Sequence, residues 1–180
     1  MAVVVASDLH GSAHWTRKLL EVCEAEKASQ LVLLGDLLYH GPRNPLPEGY
    51  DPKAVVELLN PLSARIVAVR GNCDSEVDSM VLRFPLVESA FMVIDGRRFL
   101  CTHGHVYNDV DLPSMERGDV LLFGHTHLFL AKESDGVFLV NPGSVSLPKQ
   151  DRPHTYMVYK NGVCFIKDFF GKVWEALSLA

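Results

Sequence analysis

Five short apolar runs, each followed by residues that can bind a metal ion, constrain the fold of this chain more than any other feature. In each run, one or two residues separate the apolar stretch from the Asp, Asn or His that follows it: 3–10, 31–36, 65–72, 98–105 and 120–127. Short runs rich in β-branched residues are typical of strands buried on both faces. Because ligands bind at the carboxyl ends of strands in α/β sheets, we expect the five ends to meet in one crevice.

The first of these ends carries Asp8 and His10, two positions apart. Strand alternation would point both side chains to the same side, where a carboxylate and an imidazole can bind one cation. Taken alone, the pair is equally well read as an Asp that caps the next helix and an incidental surface His. The recurrence of such residues at four later strand ends favours the metal site.

The first half of the sequence alternates strands with helices, which are predicted at about 12–28, 52–60 and 75–82. Ser12 is a suitable N-cap for the first helix, and Pro52 suits the first turn of the second. The connection 37–51 contains three prolines and two glycines, so it is predicted to be a long ordered loop. Long loops of this kind often carry functional residues.

The second half is predicted to be mostly antiparallel. Dipeptides typical of hairpin turns, at 95–96, 135–136 and 161–162, separate three pairs of strands: 87–94 with 98–102, 125–132 with 137–140, and 156–159 with 163–168. Residues 172–180 are compatible with a helix or a strand, and an edge strand is preferred. We therefore predict one α/β (α+β) domain over 1–180, a four-layer αββα sandwich of two mixed sheets with helices outside.

Composition narrows the classes of function. The formal net charge is −5, with 17 Lys and Arg against 22 Asp and Glu, so a general nucleic-acid or anionic-membrane binder is disfavoured. No apolar run approaches the roughly 20 residues that span a bilayer, and no basic leader precedes the first run. The four cysteines form no CxxC pair, which suits a reducing compartment. The predicted location is the cytoplasm, and exposed strands of the second half could pair subunits into a homo-oligomer.

Ordered motifs in the chain resemble those of the calcineurin-like metallophosphoesterases. The motifs are Asp8-Leu9-His10, Gly35-Asp36, Gly71-Asn72-Cys73-Asp74, His103-Gly104 and Gly124-His125-Thr126-His127. Within that superfamily, the small size, the Gly-Asn-Cys-Asp variant and the segments 40–44 and 141–146 resemble the YfcE-type phosphodiesterases. The resemblance covers nearly the whole chain and also implies the αββα metallophosphoesterase fold.

Seven candidate metal ligands come from these motifs: Asp8, His10, Asp36, Asn72, His103, His125 and His127. Seven nitrogen and oxygen donors exceed what one tetrahedral site needs, and they fit two adjacent ions. The resemblance implies that Asp8, His10, Asp36 and His127 hold the first ion, and that Asp36, Asn72, His103 and His125 hold the second. Imidazole-rich sites disfavour Mg and Ca, so we expect two divalent ions, Mn in preference to Fe, Zn, Ni or Co.

The function that the resemblance implies is metal-dependent hydrolysis of a small-molecule phosphodiester. A hydroxide held between the two ions would attack phosphorus in line. With that hydroxide and both carboxylates counted, the site keeps about one positive charge, which suits a diester monoanion. A phosphomonoesterase on the same site is the alternative. A non-catalytic scaffold of the same fold would be expected to have lost ligands, and this chain retains all seven.

Three further residues are candidates for catalysis: Cys73, Asp74 and Arg43. Arg43 could bind a phosphate oxygen, or it could be an ordinary exposed loop residue. Many superfamily members have His at the position of Cys73, where it is thought to protonate the leaving group. A thiol near two cations could ionise, so we expect weaker acid assistance here and a preference for good leaving groups.

The remaining histidines are weaker candidates. His40 shares the loop of Arg43. His105 could contact substrate or support the metal ligands, and a direct metal role is disfavoured. His14 and His154 are predicted to be ordinary structural histidines.

Overall fold

Two β-sheets and three short α-helices make up the computed structural model, which describes residues 2–180. The helices are α1 (Ala13–Ala25), α2 (Pro52–Leu59) and α3 (Glu76–Val81), and a 3₁₀ helix covers Asn60–Arg65. The strands are β1 (Ala2–Ala6), β2 (Gln30–Leu33), β3 (Ile66–Val69), β4 (Leu86–Val87), β5 (Ala90–Ile94), β6 (Arg97–Cys101), β7 (Val120–Leu122), β8 (Leu130–Ser134), β9 (Val137–Asn141), β10 (Thr155–Lys160), β11 (Val163–Asp168) and β12 (Val173–Ser178).

The strand order places the candidate metal-binding residues, which follow the strands, at common edges of the two sheets. One sheet has seven strands in the order β12-β11-β10-β1-β2-β3-β4, and β1 to β4 run parallel. The other has five strands in the order β5-β6-β7-β9-β8, in which β6, β7 and β9 run parallel. The carboxyl ends of β1, β2 and β3 therefore lie at one edge of the first sheet, and those of β6 and β7 at one edge of the second.

The core lies on both faces of the seven-stranded sheet. Val3 and Val5 pack between the two sheets with Phe99 and Met157, whereas Val4 faces the helical side. Every residue of β1 is buried, as expected for a run with no polar alternation. Burial on both faces fixes this strand firmly, which makes it a rigid support for the residues that follow it.

The two sheets have different outer layers. Leu19 of α1 and Val55 of α2 pack on the seven-stranded sheet. On the outer face of the five-stranded sheet, Phe123 and its apolar neighbours pack against Met115, which belongs to the connection between β6 and β7. That connection contains no helix among the described residues. The predicted sandwich of two mixed sheets is confirmed, with an irregular segment as the layer outside the second sheet.

Helix caps and hairpin turns form where the local sequence predicts them. The Ser12 side chain accepts a hydrogen bond from the Trp15 N–H at 3.2 Å and begins α1. Both residues of each hairpin turn, at 95–96, 135–136 and 161–162, have positive φ angles, as type I′ turns require. The edge strand preferred for the last segment is also present, as β12.

Some predicted boundaries are wrong. The strand predicted over 125–132 begins only at Leu130, because His125 and His127 have left-handed backbone that cannot continue a strand. The sequence pattern places Val87 in the first hairpin, but in the structure this residue pairs with β3 in the other sheet. Helix α1 ends at Ala25, three residues early, because Lys27 adopts a positive φ of 50°.

Candidate metal centre

All seven candidate ligands lie together where the strand ends of the two sheets meet. His10 Nε2 lies 3.2 Å from His127 Nε2, and His103 Nε2 lies 3.3 Å from His125 Nδ1. Asp36 Oδ2 lies between the two groups, 3.8 Å from His10 Nε2 and 3.5 Å from His103 Nε2. The position of Asp36 between the two pairs of histidines suits the bridging role that the resemblance implies for it.

The backbone that presents these ligands is strained. Five of the seven residues have a left-handed conformation, which non-glycine residues rarely adopt: Asp8, His10, Asp36, His125 and His127. Asp8 and His10 therefore reach the site through this backbone and not through the strand alternation proposed from the sequence, because β1 has already ended at Ala6. Such strain persists only where the surrounding structure holds it, and it concentrates at functional sites.

Hydrogen bonds to backbone carbonyls fix the protonation of three histidines. The Nδ1 atoms of His10 and His103 lie 2.8 and 2.6 Å from the carbonyl oxygens of Tyr39 and Leu34. The Nδ1 atom of His127 makes the same contact with Leu147. Because a carbonyl oxygen only accepts, each Nδ1 carries a hydrogen and each Nε2 is directed towards the centre, where it can bind a metal ion. Metal-binding histidines are oriented in this way.

The atoms that face the centre are almost all acceptors, which requires a cation among them. The Nε2 lone pairs of His10 and His127 face each other and would repel without a proton or a metal ion between them. Asp8 Oδ1 is fully buried without a hydrogen-bond partner in the described part of the chain, and it lies 3.3 Å from His127 Nε2. A buried carboxylate oxygen in this state is costly unless a cation neutralises it. The residues therefore fit a metal ion.

The ligand atoms form three groups small enough to surround an ion. Within each group the atoms lie within 4.8 Å of one another: Asp8 with His10 and His127, Asp8 with Asp36 and His103, and His10 with Asp36 and Cys73. Asp8, His10 and Asp36 thus each belong to two groups. More than one cation can be accommodated by this geometry.

Burial and the buried carboxylates shift the pKa values of the histidines in the centre in opposite directions. Burial lowers the pKa of His10 and of His125, which keeps these rings in the form that binds metals. Burial alone would raise the pKa of Asp8, but the close approach of the His127 imidazole holds it below its usual range. Burial likewise opposes protonation of His103, yet Asp36 and Asp8 raise its pKa to about 9. The same carboxylates would attract a metal ion.

Asp74 lies behind the cluster and holds two strand ends together. Its Oδ2 accepts hydrogen bonds at 2.8 Å from the backbone N–H groups of Asp36 and Gly71, and its Oδ1 accepts one at 2.7 Å from Leu37. Gly71 is required there, since a side chain would collide with the Asp36 carboxylate. A catalytic role for Asp74 stays a prediction, and its hydrogen bonds favour a positioning role.

The segment 141–146 supports the first strand end. The hydroxyl groups of Ser144 and Ser146 donate to the Asp8 carbonyl oxygen at 3.0 and 2.9 Å. Asn141 Nδ2 donates to the Gly124 carbonyl oxygen at 2.9 Å, next to His125. Sequence reasoning noted this segment only as part of the resemblance. The structure shows that it positions ligands from both sheets.

Cys73 and Arg43 line an open cleft of about 760 Å³ that also borders four of the candidate ligands: Asp36, Asn72, His125 and His127. Arg43 is exposed on the loop 37–51, which forms no helix or strand and lines one side of the cleft. Burial and the Asp36 carboxylate raise the pKa of the Cys73 thiol to about 12. The protein's own groups therefore oppose the thiolate considered from the sequence.

The other histidines lie outside the cluster or at its margin. His105 is exposed, and its ring centroid lies 5.4 Å from that of His103. His40 is half-buried and contacts the rings of Tyr39 and Tyr50. His154 stacks on Trp15 at 3.8 Å, which suits its predicted structural role.

Comparison with known proteins places the chain in a family. Residues 1–161 match the model of the calcineurin-like phosphoesterase superfamily domain. The chain therefore belongs to the calcineurin-like phosphoesterase superfamily, and the metallophosphoesterase fold is confirmed.

Individual relatives refine this placement. The chain is 47% identical over 164 residues to phosphodiesterase YfcE of Escherichia coli, a match that covers 91% of this chain and 89% of that protein. The solved structure of that phosphoesterase superposes with a TM-score of 0.98 and 42% identity over the whole of both chains. A vacuolar protein sorting-associated protein 29 of Schizosaccharomyces pombe is 27% identical over 81% of this chain and 73% of its own length.

None of the helices formed by residues 2–180 is long and apolar enough to cross a membrane.

Proposed function

We propose that this protein is a metal-dependent phosphodiesterase that hydrolyses a small-molecule phosphodiester with two divalent ions, manganese in preference. The observation that carries the proposal is the set of inward-facing acceptors: the Nε2 lone pairs of His10 and His127 beside the unpartnered Asp8 Oδ1. The similarity to a protein named phosphodiesterase supports the diester as substrate.

The proposed ligand assignment follows the two groups of side chains. Asp8, His10, Asp36 and His127 hold one ion, and Asp36, Asn72, His103 and His125 hold the other. Asn72 Oδ1 lies 3.0 Å from His103 Nε2, which suits two ligands of one ion. When bound, the ions supply the positive charge that lowers the pKa of water to near neutrality and stabilises phosphoryl oxygens.

The remaining steps are assigned to residues of the chain. The carbonyl groups of Tyr39, Leu34 and Leu147 keep three imidazoles in the metal-binding tautomer. Arg43 binds a non-bridging phosphate oxygen from the loop side of the cleft. Cys73, protonated and half-buried beside Asp36, assists the leaving group only weakly, so diesters with good leaving groups react fastest.

The test begins with metal analysis of the purified protein and titration of the metal-free protein with manganese. Hydrolysis of bis(p-nitrophenyl) phosphate and of p-nitrophenyl phosphate is then compared under saturating manganese. We expect two ions per chain and a clear preference for the diester. A preference for the monoester would favour the alternative phosphomonoesterase.

The Asp36→Asn variant tests the bridging assignment. It should lose activity and one of the two ions, because a neutral amide cannot bridge two cations well. Asp111→Asn is the matched control, since this exposed carboxylate lies outside the cluster. Full turnover in Asp36→Asn would refute the assignment, and so would equal losses in the control.

A further inference from the structure

Lys149 lies in the wall of the cleft, and neither the motifs nor the metal cluster assigns it a role. Its backbone N–H donates to the carbonyl oxygen of His127 at 3.4 Å. Lys149 is therefore a direct neighbour of a candidate metal ligand. Lys149 and Arg43 are the two basic side chains that line the cleft, and they come from different loops. The cleft therefore carries positive charge in addition to that of the proposed ions.

The backbone around Lys149 is held in a specific and strained conformation. Arg152 N donates to the Lys149 carbonyl oxygen at 3.2 Å and closes a tight turn. The two residues within it, Gln150 and Asp151, have φ angles of 57° and 55° although neither is glycine. Such a turn costs free energy and persists only because its surroundings fix it.

The turn is fixed by contacts with the segment 127–129, which begins at the candidate ligand His127. The Arg152 side chain donates to the Phe129 carbonyl oxygen at 2.8 Å, and its guanidinium lies 4.4 Å from the centroid of the Phe129 ring. On the other side, the Leu147 carbonyl accepts from His127 Nδ1. Both ends of the turn are thus tied to residues 127–129, which places Lys149 at a defined position relative to the ligand His127.

The Lys149 ammonium group is available for a ligand. None of the ion pairs or side-chain hydrogen bonds formed within residues 2–180 includes Lys149 Nζ. The neighbouring Thr126 is already engaged, since its hydroxyl oxygen accepts from Asn141 Nδ2 at 3.0 Å and from Leu128 N at 3.2 Å. A diester has one negative charge, which the proposed ions and Arg43 suffice to bind. A second cationic side chain in the cleft suits a second anionic group.

We infer that Lys149 is a specificity-determining residue that binds a second phosphate, so that the preferred substrates are phosphodiesters carrying an additional phosphate group. This inference rests on the proposed phosphodiesterase function. A cleft of about 760 Å³ has room for a substrate of nucleotide size.

The test compares two chromogenic diesters that differ by one phosphate: thymidine 5′-(p-nitrophenyl phosphate) and its 3′-phosphorylated counterpart. With the manganese-loaded full chain, kcat/KM for nitrophenolate release should be about tenfold higher for the 3′-phosphorylated ester, the size of one charge-assisted contact at an exposed site. Lys149→Ala should remove most of this difference, mainly through KM, and Lys149→Arg should restore part of it. Lys53→Ala, a change of an exposed lysine on α2, is the matched control and should preserve the ratio.

Equilibrium binding provides a readout that does not depend on turnover. Thymidine 3′,5′-bisphosphate should bind wild-type protein more tightly than thymidine 5′-phosphate, by a factor similar to the kinetic ratio, and Lys149→Ala should remove that factor. Equal kcat/KM values for the two esters in wild type, or an unchanged ratio in Lys149→Ala, would overturn the role of Lys149 and leave the phosphodiesterase proposal intact. Hydrolysis of neither ester would overturn the role of Lys149. If bis(p-nitrophenyl) phosphate were not hydrolysed either, the phosphodiesterase proposal would fall as well.

Discussion

At the scale of single residues, Asp74 shows how a side chain can govern a site that it does not line. Its carboxylate accepts hydrogen bonds from three backbone N–H groups, of Asp36, Leu37 and Gly71. These groups lie at the ends of β2 and β3, next to the candidate ligands Asp36 and Asn72. The position of both candidate ligands therefore depends on one buried acid.

We expect Asp74→Ala to lower the free energy of unfolding by about 3 kcal/mol, because three buried N–H groups lose a charged acceptor. Urea unfolding measures this, and metal content should fall with it as Asp36 and Asn72 move. Asp74→Asn, which retains one oxygen acceptor, should show a smaller effect. Unchanged stability in Asp74→Ala would contradict the positioning role.

A second prediction at this scale concerns Cys73, the departure from the common superfamily motif. Cys73→His should accelerate hydrolysis most for diesters with poor leaving groups, because an imidazolium donates a proton far more readily than a thiol whose pKa is raised to about 12. The measurement is the slope of log kcat against leaving-group pKa for a series of aryl methyl phosphates. Cys73→Ser is the control, and an equal slope in all three proteins would count against the idea.

At the scale of elements, an ion pair aligns the two strands that deliver the histidines of the second sheet. Arg98 Nε donates to Asp119 Oδ1 at 3.0 Å, and Asp119 Oδ2 also accepts from the Glu116 N–H at 2.9 Å. This contact joins the beginning of β6 to the beginning of β7. It helps to set the register in which His103 and His125 end at the same level.

We expect Asp119→Asn to be less stable than wild type at pH 7, with a difference that shrinks in acid. The hydrogen bond from Arg98 lowers the pKa of Asp119 below its ordinary value of 3.8. A lowered carboxyl pKa stabilises the folded state above the unfolded pKa, and this contribution disappears as the pH falls through the folded pKa. Urea unfolding at pH 7 and below pH 4 measures it, with Asp111→Asn as control. A stability difference between wild type and Asp119→Asn that grows in acid would contradict the lowered pKa of Asp119.

At the scale of the whole molecule, the candidate ligands link the two sheets. Asp8, His10 and Asp36 follow strands of the seven-stranded sheet, whereas His103 and His125 follow strands of the five-stranded sheet. Any ion bound between them binds the folded protein and not the unfolded chain. Metal binding should therefore stabilise the entire sandwich.

We expect a chelator to lower the melting temperature and manganese to restore it. At a free metal concentration about 100 times the Kd, the gain is about 2.7 kcal/mol, or roughly 5–10 °C for a chain of this length. Differential scanning calorimetry measures the shift, and Asp36→Asn should show a reduced one. A melting temperature that is independent of manganese would show that no ion binds across the sheets.

The local sequence was sufficient to predict much of the fold. The buried strand β1, the Ser12 cap and the three type I′ turns depend on residues close together in the chain, so their patterns could be interpreted directly. The predicted convergence of the candidate metal ligands is also matched by the structure, although these residues lie far apart in the chain, because parallel strands end at a common edge. The strand wrongly predicted over 125–132 shows the limit, because the left-handed backbone at His125 and His127 has no local signature.

The sequence by itself thus determined which residues can bind metal, on which strand ends they lie and which family the chain resembles. Only the tertiary structure decided how they are held: the carbonyl groups that fix the imidazole tautomers, the N–H groups gathered by Asp74, and the turn that places Lys149 beside His127. These contacts join residues that are distant in the sequence: Asp36 and Asp74 are 38 residues apart, and Leu34 and His103 are 69 residues apart. Backbone N–H and C=O groups are nearly the same in every residue, so the sequence does not indicate their hydrogen-bond partners. Only the folded structure shows which side chains they contact.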